Sequence, residues 1–339
     1  MIRLALAALA AGVAGLGPAR AEDFFAGKTI SLYIGSTPGG GYDSYARLIA
    51  RHWSEHIPGH PTVVPVNMPG AGSNKLAYYI YAVAPKDGTA VGAIFPGAVV
   101  EQLIGDKPVQ HDASKFTYVG SANSEVLVCY DRADAPVRSF GDAFKTEIKM
   151  AASAEGGSTR DFPLVLNEVL GTRFKVVAGY PGSREMMLAI EQGEVAGQCG
   201  IGVSSLAEAH PDWIPSGKMR VLAQEAVRPD PEMEKLQVPL TIDFAKTDEQ
   251  RRMLSLMYAP YQFGRPYVAP PGVPPERAAV LRQSFIETMR DPATLEDAKR
   301  VRLEVEPLPG DEVQALVAKM FATPPAIVAK LKAALATQP

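Results

Sequence analysis

Cysteine and net charge are both scarce in this sequence. It has two cysteines, Cys129 and Cys199, and 34 Lys and Arg residues nearly balance 37 Asp and Glu residues, for a formal net charge of −3. The lack of a basic excess excludes the electrostatic footprint of a nucleic-acid-binding protein. Each cysteine lies in an apolar, strand-like run. We expect two buried free thiols rather than a disulfide, because a bridge requires Cα atoms within about 7 Å.

Long apolar runs are missing beyond the first residues. There Arg3 precedes an apolar stretch at residues 4–16, and Ala19-Arg20-Ala21 has the small-x-small pattern of a cleavage site. The stretch is shorter than the roughly 20 residues that span a bilayer. We therefore expect a signal peptide over residues 1–21, cleaved after Ala21, and a periplasmic protein.

The common nucleophile and phosphate motifs are also absent. The sequence has neither Gly-x-Ser-x-Gly nor Ser-x-x-Lys, and its partial dinucleotide and Walker A patterns have Ser44 and Glu22 where a glycine is required. His52 and His56 match a short zinc-protease pattern, but Pro58 follows at once and no third ligand is evident. We expect no catalysis, no cofactor and no metal.

Strand and helix patterns alternate along the rest of the chain, which predicts an α/β fold. The predicted strands cover residues 29–35, 62–66, 90–95, 116–120, 126–130, 148–153, 175–180, 195–199 and 219–224. The predicted helices include residues 43–56, 158–170, 183–192, 247–258, 274–289 and 310–335, the last broken at Pro324-Pro325. Two βαβ series of this kind predict two doubly wound parallel-sheet lobes.

The order of these elements also predicts where the lobes divide. Residues 126–130 and 219–224 are the candidates for strands that cross between the lobes and form a hinge. Lobe one then comprises residues 22–124 plus 227–339, and lobe two comprises residues 125–226. The expected architecture is a two-lobed, type II-like periplasmic-binding-protein fold.

Four turns join a strand end to a helix start: loop 1 (residues 36–43), loop 2 (67–74), loop 3 (154–159) and loop 4 (180–183). Ligands of open α/β sheets bind at the carboxyl ends of the strands, where glycine allows close approach and helix N-termini attract anions. Each loop by itself is better explained as a tight turn capped by Asp43, Ser73, Ser158 or Ser183, whereas several such loops with glycine at strand ends favour a site. Arg160, in the first turn of its helix, has the geometry to clamp a carboxylate.

Two of these loops carry a family resemblance. The runs Pro38-Gly39-Gly40-Gly41-Tyr42-Asp43 and Val66-Asn67-Met68-Pro69-Gly70-Ala71-Gly72-Ser73-Asn74 resemble the solute receptors of tripartite tricarboxylate transporters, the Bug family. Segments 84–89, 180–183, 193–195 and 268–274 add to the likeness. The resemblance implies a hinged cleft that binds a small carboxylate, largely through backbone N–H groups and bridging waters, and delivers it to membrane permease subunits.

The site residues follow from the resemblance and from the loops. The resemblance carries ligand binding to Thr37, Gly40, Tyr42, Asp43, Ala71, Gly72, Ser73, Ser158, Thr159 and Ser183, and the loop analysis adds Arg160 and Tyr180. Two departures matter: Met68 replaces a common Arg, and Ala196 and Gly200 stand where the family commonly has acidic residues. Without acidic side chains to pair with its ammonium group, an amino acid is a less favourable ligand than a plain carboxylate.

The expected mechanism is a two-state clamp in a monomer, with the ligand bridging both lobes and favouring the closed form. Two alternatives remain open. An exported α/β hydrolase requires a nucleophile with a histidine base, and none of the five histidines lies in the four loops. A ligand-sensing module for a membrane kinase would share the fold and the site.

Overall fold

The computed structural model describes residues 24–39, 41–105, 108–153 and 157–336. The predicted signal peptide, Gly40 and residues 154–156 of loop 3 lie outside the described residues. Strands and helices alternate through the described chain and form two sheets with helices packed on their faces. None of the described helices combines the length and the hydropathy needed to cross a bilayer.

The first sheet belongs to lobe one and has six strands in the order β11-β4-β10-β3-β1-β2. They are β1 (Thr29–Ile34), β2 (Thr62–Asn67), β3 (Ala90–Ala93), β4 (Thr117–Ser121), β10 (Pro266–Ala269) and β11 (Leu308–Pro309). Its helices are α1 (Gly41–His56), α2 (Asn74–Ala82), α3 (Pro96–Ile104), α9 (Pro275–Arg290), α10 (Pro292–Arg300) and α11 (Gly310–Phe321). Apolar residues at helical spacing on α1, among them Tyr45, Ile49 and Trp53, bury one face of that helix.

The second sheet belongs to lobe two and has five strands in the order β7-β6-β8-β5-β9. They are β5 (Leu127–Arg132), β6 (Ile148–Ala152), β7 (Phe174–Ala178), β8 (Gly197–Gly202) and β9 (Met219–Glu225). The helices that follow its strands are α4 (Ser158–Leu170), α5 (Ser183–Glu191), α6 (Val203–Ala209) and α7 (Pro231–Lys235). The predicted helix over 158–170 is therefore confirmed to the residue, and both predicted βαβ series are present.

The two-lobed α/β architecture is confirmed, but the prediction of purely parallel sheets is wrong. β10 runs antiparallel to β3 and β4, and β5 runs antiparallel to β8 and β9. The reason is topological: the strands that follow a crossing enter their sheet from the cleft side, opposite to the strands of the βαβ units. Carboxyl ends of the parallel strands in each lobe consequently point toward the other lobe.

About forty residues of chain lie between β9 and β10, where the chain returns from lobe two to lobe one. Its helix α8 (Asp248–Tyr258) packs on α4 of lobe two and on the C-terminal helix α12 (Pro325–Ala336). Helix α12 also contacts α3 of lobe one, and Lys332 donates from Nζ to the carbonyl of Gly105 at 3.0 Å. Residues after β9 thus pack extensively on lobe two before the chain returns to lobe one.

Cys129 and Cys199 form a disulfide, so the expectation of two free thiols is wrong. They lie on the neighbouring antiparallel strands β5 and β8, and their Cα atoms are 3.9 Å apart. The pairing of these strands was not visible in the sequence because the two cysteines are 70 residues apart. The carboxyl of Glu225 on β9 lies beside the bridge, with Oε1 3.3 Å from Sγ of Cys129.

Candidate functional site

Asp43 organises loop 1 from the first turn of α1. Its carboxylate is almost fully buried, and it accepts hydrogen bonds from the backbone N–H of Gly39 at 2.8 Å and from Nε of Arg47 at 2.9 Å. Burial acts to raise its pKa, but the hydrogen bonds from Arg47, Gly39 and Asn67 prevail and lower the pKa of Asp43 to about 2. Asp43 is therefore an ionised residue whose oxygens hold the loop in shape.

Asn67 joins loop 1 to the end of β2. Its Nδ2 donates to Oδ1 of Asp43 at 2.8 Å and to the carbonyl of Ser36 at 3.0 Å, while its Oδ1 accepts from Nη2 of Arg47 at 2.8 Å. In the sequence, Asn67 is recognisable only as part of a motif, and no role was predicted for its side chain. The structure makes it the contact that sets loop 2 against loop 1.

Loop 2 contains a run of left-handed backbone. Ala71, Gly72 and Ser73 have φ values of 48°, 59° and 75°, directly before α2 begins at Asn74. Such a conformation is costly for Ala and Ser and is concentrated at functional sites. Consecutive N–H groups in turns of this kind form concave sites for anions.

Several polar atoms around loops 1 and 2 are buried and have no hydrogen-bond partner among the residues that the structure describes. They are Oγ of Ser36, Oγ of Ser73 and Oδ1 of Asn74. Ser73 is pressed against Gly35, where a methyl group would collide with its hydroxyl oxygen. Leaving such groups unpaired in a protein interior costs roughly 1–3 kcal/mol each, so a bound partner is expected for them.

In lobe two, loop 3 is closed by its own hydroxyl groups. Oγ1 of Thr159 accepts from the backbone N–H of Ser153 at 3.0 Å, and Oγ of Ser158 donates to the carbonyl of Gly200 at 2.7 Å. Gly200 is left-handed, and a side chain there would collide with the backbone of Ser158. Arg160 is buried and pairs with Asp161 at 3.2 Å.

The other predicted site residues lie on the surface of the loops. Thr37 and Ser183 are exposed. Ser183 is the first residue of α5, and the N-cap position before it is Gly182, so no side chain caps this helix. The hydroxyl of Tyr180 donates to Glu194 at 2.7 Å within lobe two. Gly40 lies outside the described residues.

A cluster beside loop 1 was missed by the sequence analysis. The Tyr42 hydroxyl donates to the carbonyl of Gly264 at 3.1 Å, and its ring lies 4.1 Å from that of Phe95, between centroids. The guanidinium of Arg265 stacks over Tyr42, with Cζ 4.3 Å from the ring centroid. Burial raises the pKa of Tyr42 to about 12, so its phenol is neutral at physiological pH. In the sequence, the segment Gly264-Arg265-Pro266 has only the pattern of an ordinary turn, so nothing there indicated this cluster.

Side chains at the crossings connect the two lobes. The ring of Tyr261, which precedes β10, packs edge-on against that of Phe162 on α4 of lobe two, with centroids 5.4 Å apart. Glu125, between β4 and β5, packs against Gly202, where an added methyl group would collide with its carboxylate. Phe162 of lobe two and Tyr42 of loop 1 therefore both contact the second crossing, at Tyr261 and Gly264.

A cavity of about 770 Å³ lies between the lobes, and none of the predicted site residues lines it. Residues 203–236 and residues 304–319 form most of its walls. Carboxylates predominate among its charged side chains, among them Glu125, Glu304, Glu306 and Glu312. Such a surface repels an organic acid.

The two histidines of the short zinc pattern contact different carboxylates. Nε2 of His52 lies 3.0 Å from Asp297, and Nε2 of His56 lies 3.4 Å from Asp291. The pattern therefore corresponds to a helix face that pairs with α10 and its cap. Within the described ranges, the group of side chains with metal-ligand spacing is Cys129, Cys199 and Glu225, whose two sulfurs are already joined.

Comparisons with known proteins agree with this architecture. No family model matches the chain, and no curated protein matches it. A solved TctC solute-binding protein from Polaromonas superposes with a TM-score of 0.72 at 18% identity, covering 89% of this chain and 98% of that one. This chain has the periplasmic-binding-protein fold.

Two further solved structures with this periplasmic-binding-protein fold come from Rhodopseudomonas palustris. MatC with bound malate has a TM-score of 0.56 at 17% identity, covering 91% of this chain and 99% of that one. An adipate-bound protein has a TM-score of 0.59 at 20% identity, covering 90% and 97%. At these identities the likeness is one of fold, and it includes the whole length of each neighbour.

Proposed function

We propose that this chain is a periplasmic solute receptor of the tripartite tricarboxylate transporter type, which captures a small carboxylate and delivers it to membrane permease subunits. The observation that carries the proposal is loop 2. Three consecutive left-handed residues, Ala71 to Ser73, precede the N-terminus of α2, and the neighbouring hydroxyls of Ser36 and Ser73 are buried without partners in the part of the chain that the structure describes. An anion is the ligand that such donors favour.

The predicted site residues take two kinds of role in this proposal. Backbone N–H groups and hydroxyls contact the ligand from Thr37, Gly40, Ala71, Gly72 and Ser73 in lobe one, and from Ser158 and Ser183 in lobe two, with Tyr42 and Tyr180 as aromatic walls. Asp43, Thr159 and Arg160 hold their loops in place, because their polar groups are already bonded within those loops.

The ligand works as a clamp between the lobes. Lobe one is proposed as residues 22–124 plus 227–339 and lobe two as residues 125–226, with the crossings at β4–β5 and β9–β10 as the hinge. A ligand that touches loops of both lobes binds the closed form more tightly and shifts the population toward it. Scattering measurements with and without a saturating acid are expected to show a smaller radius of gyration with the acid.

The structural neighbours support a carboxylate as the ligand class, since MatC holds malate and another neighbour holds adipate. The Polaromonas neighbour is a solute-binding protein, which supports a role without catalysis. The proposed setting is the periplasm, after cleavage of the signal peptide near Ala21, with the receptor acting as a monomer.

A thermal-shift screen tests the proposed function. The panel is malate, adipate, citrate and benzoate, with butylamine and putrescine as controls of the opposite charge. An acid present at a hundredfold its dissociation constant adds about 2.7 kcal/mol of stability. At least one acid is expected to raise the melting temperature and the amines are not. Stabilisation by the amines alone would contradict the proposal.

A further inference from the structure

Arg265 lies where the chain returns to lobe one, and its backbone is tied to the first crossing. Its N–H donates to Oγ of Ser121 at 3.1 Å, and its carbonyl accepts from the N–H of Ala122 at 3.0 Å. The side chain leaves this anchored position and extends along α1. Its Nη2 would lie 3.7 Å from a methyl group placed on Gly41, the first residue of that helix.

The guanidinium is only partly satisfied by the protein. Nη1 donates to the carbonyl of Gly264 at 3.0 Å, and the plane stacks over the rings of Tyr42 and Tyr45. Nε is buried and has no hydrogen-bond partner within the described part of the chain. Among the described residues, no carboxylate lies within ion-pair distance of Arg265, whereas Arg47, Arg51 and Arg132 each have one.

The surroundings make this lack of a counter-ion costly. A cation beside a helix N-terminus is repelled by the partial positive charge of the exposed N–H groups. Burial raises the pKa of both Tyr42 and Tyr45 to about 12, so neither ring supplies a phenolate. Glu125, in the neighbouring crossing, is near enough to help raise the pKa of Tyr42 and Tyr45, but its carboxylate lies against Gly202 of lobe two and forms no ion pair with Arg265. An anion between Arg265 and α1 would supply the missing counter-ion and would also offset the repulsion between the guanidinium and the helix N-terminus.

We propose that Arg265 is the charged anchor of the site, pairing through its Nε–Nη2 edge with a carboxylate of the ligand. This inference rests on the proposed function and names a residue that discriminates among ligands within it. A guanidinium edge matches the two oxygens of an ionised carboxylate, which a neutral amide of the same shape cannot replace. Arg265 thus makes the receptor selective for the ionised acid.

The test compares acids with their amides on three variants. Calorimetry measures malate, adipate, citrate and benzoate against the wild type, and the acids that bind are repeated as their carboxamides. Arg265→Gln removes the charge, and Arg265→Lys keeps it without the planar edge. Arg277→Gln is the matched control, because Arg277 also stacks on a ring, Phe24 at 3.6 Å, and donates to a backbone carbonyl, that of Asp87.

Arg265→Gln is expected to weaken acid binding by about ten- to hundredfold, the range for a lost hydrogen bond to a charged group. Its affinity for the amide is expected to stay within about threefold, so the preference for acid over amide falls by the same factor. Arg265→Lys retains part of the preference, and Arg277→Gln retains all of it. A residue that merely supported Tyr42 would weaken acid and amide alike.

The outcomes separate the two proposals. If the wild type binds none of the four acids, the proposed function is contradicted. If the wild type binds an acid and Arg265→Gln keeps the full preference over the amide, this inference alone is overturned. Should circular dichroism show Arg265→Gln to be unfolded, the decision passes to Arg265→Lys, for which an unchanged preference over the amide overturns the inference.

Discussion

Asn67, the last residue of β2, donates a hydrogen bond to Asp43 in the first turn of α1. The distance between Nδ2 and Oδ1 is 2.8 Å, and Arg47 bonds to both side chains. This small network couples the geometry of loop 1 to that of loop 2. A change at either residue is therefore expected to act on ligand binding through the shape of both loops.

Asp43→Asn tests this network. The pKa of Asp43 is lowered to about 2 in the folded protein, so its charge stabilises the fold above about pH 5 and that contribution is lost as the pH falls toward 2. The shift corresponds to about 2 kcal/mol at neutral pH. Urea unfolding at pH 7 and pH 3 is expected to show a loss of this size at pH 7 and a smaller one at pH 3.

Asp248→Asn is the control for that experiment, because Asp248 pairs with Arg252 at the surface of α8. Exposed ion pairs contribute at most about 1 kcal/mol to the free energy of unfolding. Equal losses for the two variants at neutral pH would contradict the central role given to Asp43.

Gly35→Ala tests the close approach between β1 and loop 2. A methyl group on Gly35 would overlap the Ser73 hydroxyl, so Ser73 must move. Overpacking of this kind costs about 1–3 kcal/mol, and we expect acid binding to weaken as well. Gly97→Ala, near the start of α3, meets no atom within 4 Å and is expected to leave both properties unchanged. Calorimetry and thermal unfolding of the two variants give the comparison.

Reduction of the disulfide between Cys129 and Cys199 is expected to lower stability by about 2–4 kcal/mol, because the bridge closes a long loop. Guanidinium unfolding with and without a reductant measures the loss. The Cys129→Ala, Cys199→Ala double variant is the control, and its unfolding midpoint does not respond to the reductant. A wild type equally indifferent to the reductant would show that the bridge is not formed in solution.

Glu225→Gln tests the buried carboxyl beside that disulfide. Burial raises the pKa of Glu225 to about 8. The N–H of Gly200 donates to Oε2 at 2.6 Å and favours the charged form, but this opposing effect is smaller. The folded state therefore holds a proton that the unfolded state releases, and this group makes stability fall as the pH rises from about 4.5 to about 8. The neutral Gln can still accept from Gly200.

We expect Glu225→Gln to flatten that pH dependence and to be more stable than the wild type near pH 8. Unfolding midpoints at pH 5 and pH 8 provide the measurement. Glu147→Gln, an exposed carboxylate of lobe two, is the control for a general charge effect. A wild type and a Glu225→Gln variant with the same slope between the two pH values would refute the prediction.

The regular elements were largely readable from the sequence. Helix α4 begins and ends where the spacing of its apolar residues predicts, and β1, β2 and β6 agree within a residue or two. Local signals suffice for these elements, because Gly and Ser at strand ends mark the turns and apolar periodicity marks the buried faces. The elements that were missed are the short helices α6 and α7, together with β10, α10 and β11 nearer the C-terminus, where the periodicity is weak.

The candidate site was readable only in part. Asp43, Ser73 and Ser158 were placed on the right loops, yet whether their polar groups face a ligand or their own loop depends on neighbours far along the chain. Asp43 is bonded to Asn67 of β2, and Ser158 is bonded to Gly200, 42 residues away. Sequence spacing carries no information about such contacts.

The sequence by itself determined the α/β class, the order of the elements and the glycine-bearing loops at the ends of strands, since each depends on residues within a few positions of one another. Tertiary structure alone decided that Cys129 meets Cys199, that the crossing strands run antiparallel to their neighbours, and that Arg265 stacks on Tyr42 beside α1. These pairings join segments separated by 70 residues or more, and only the packing of the whole chain brings them within bonding distance.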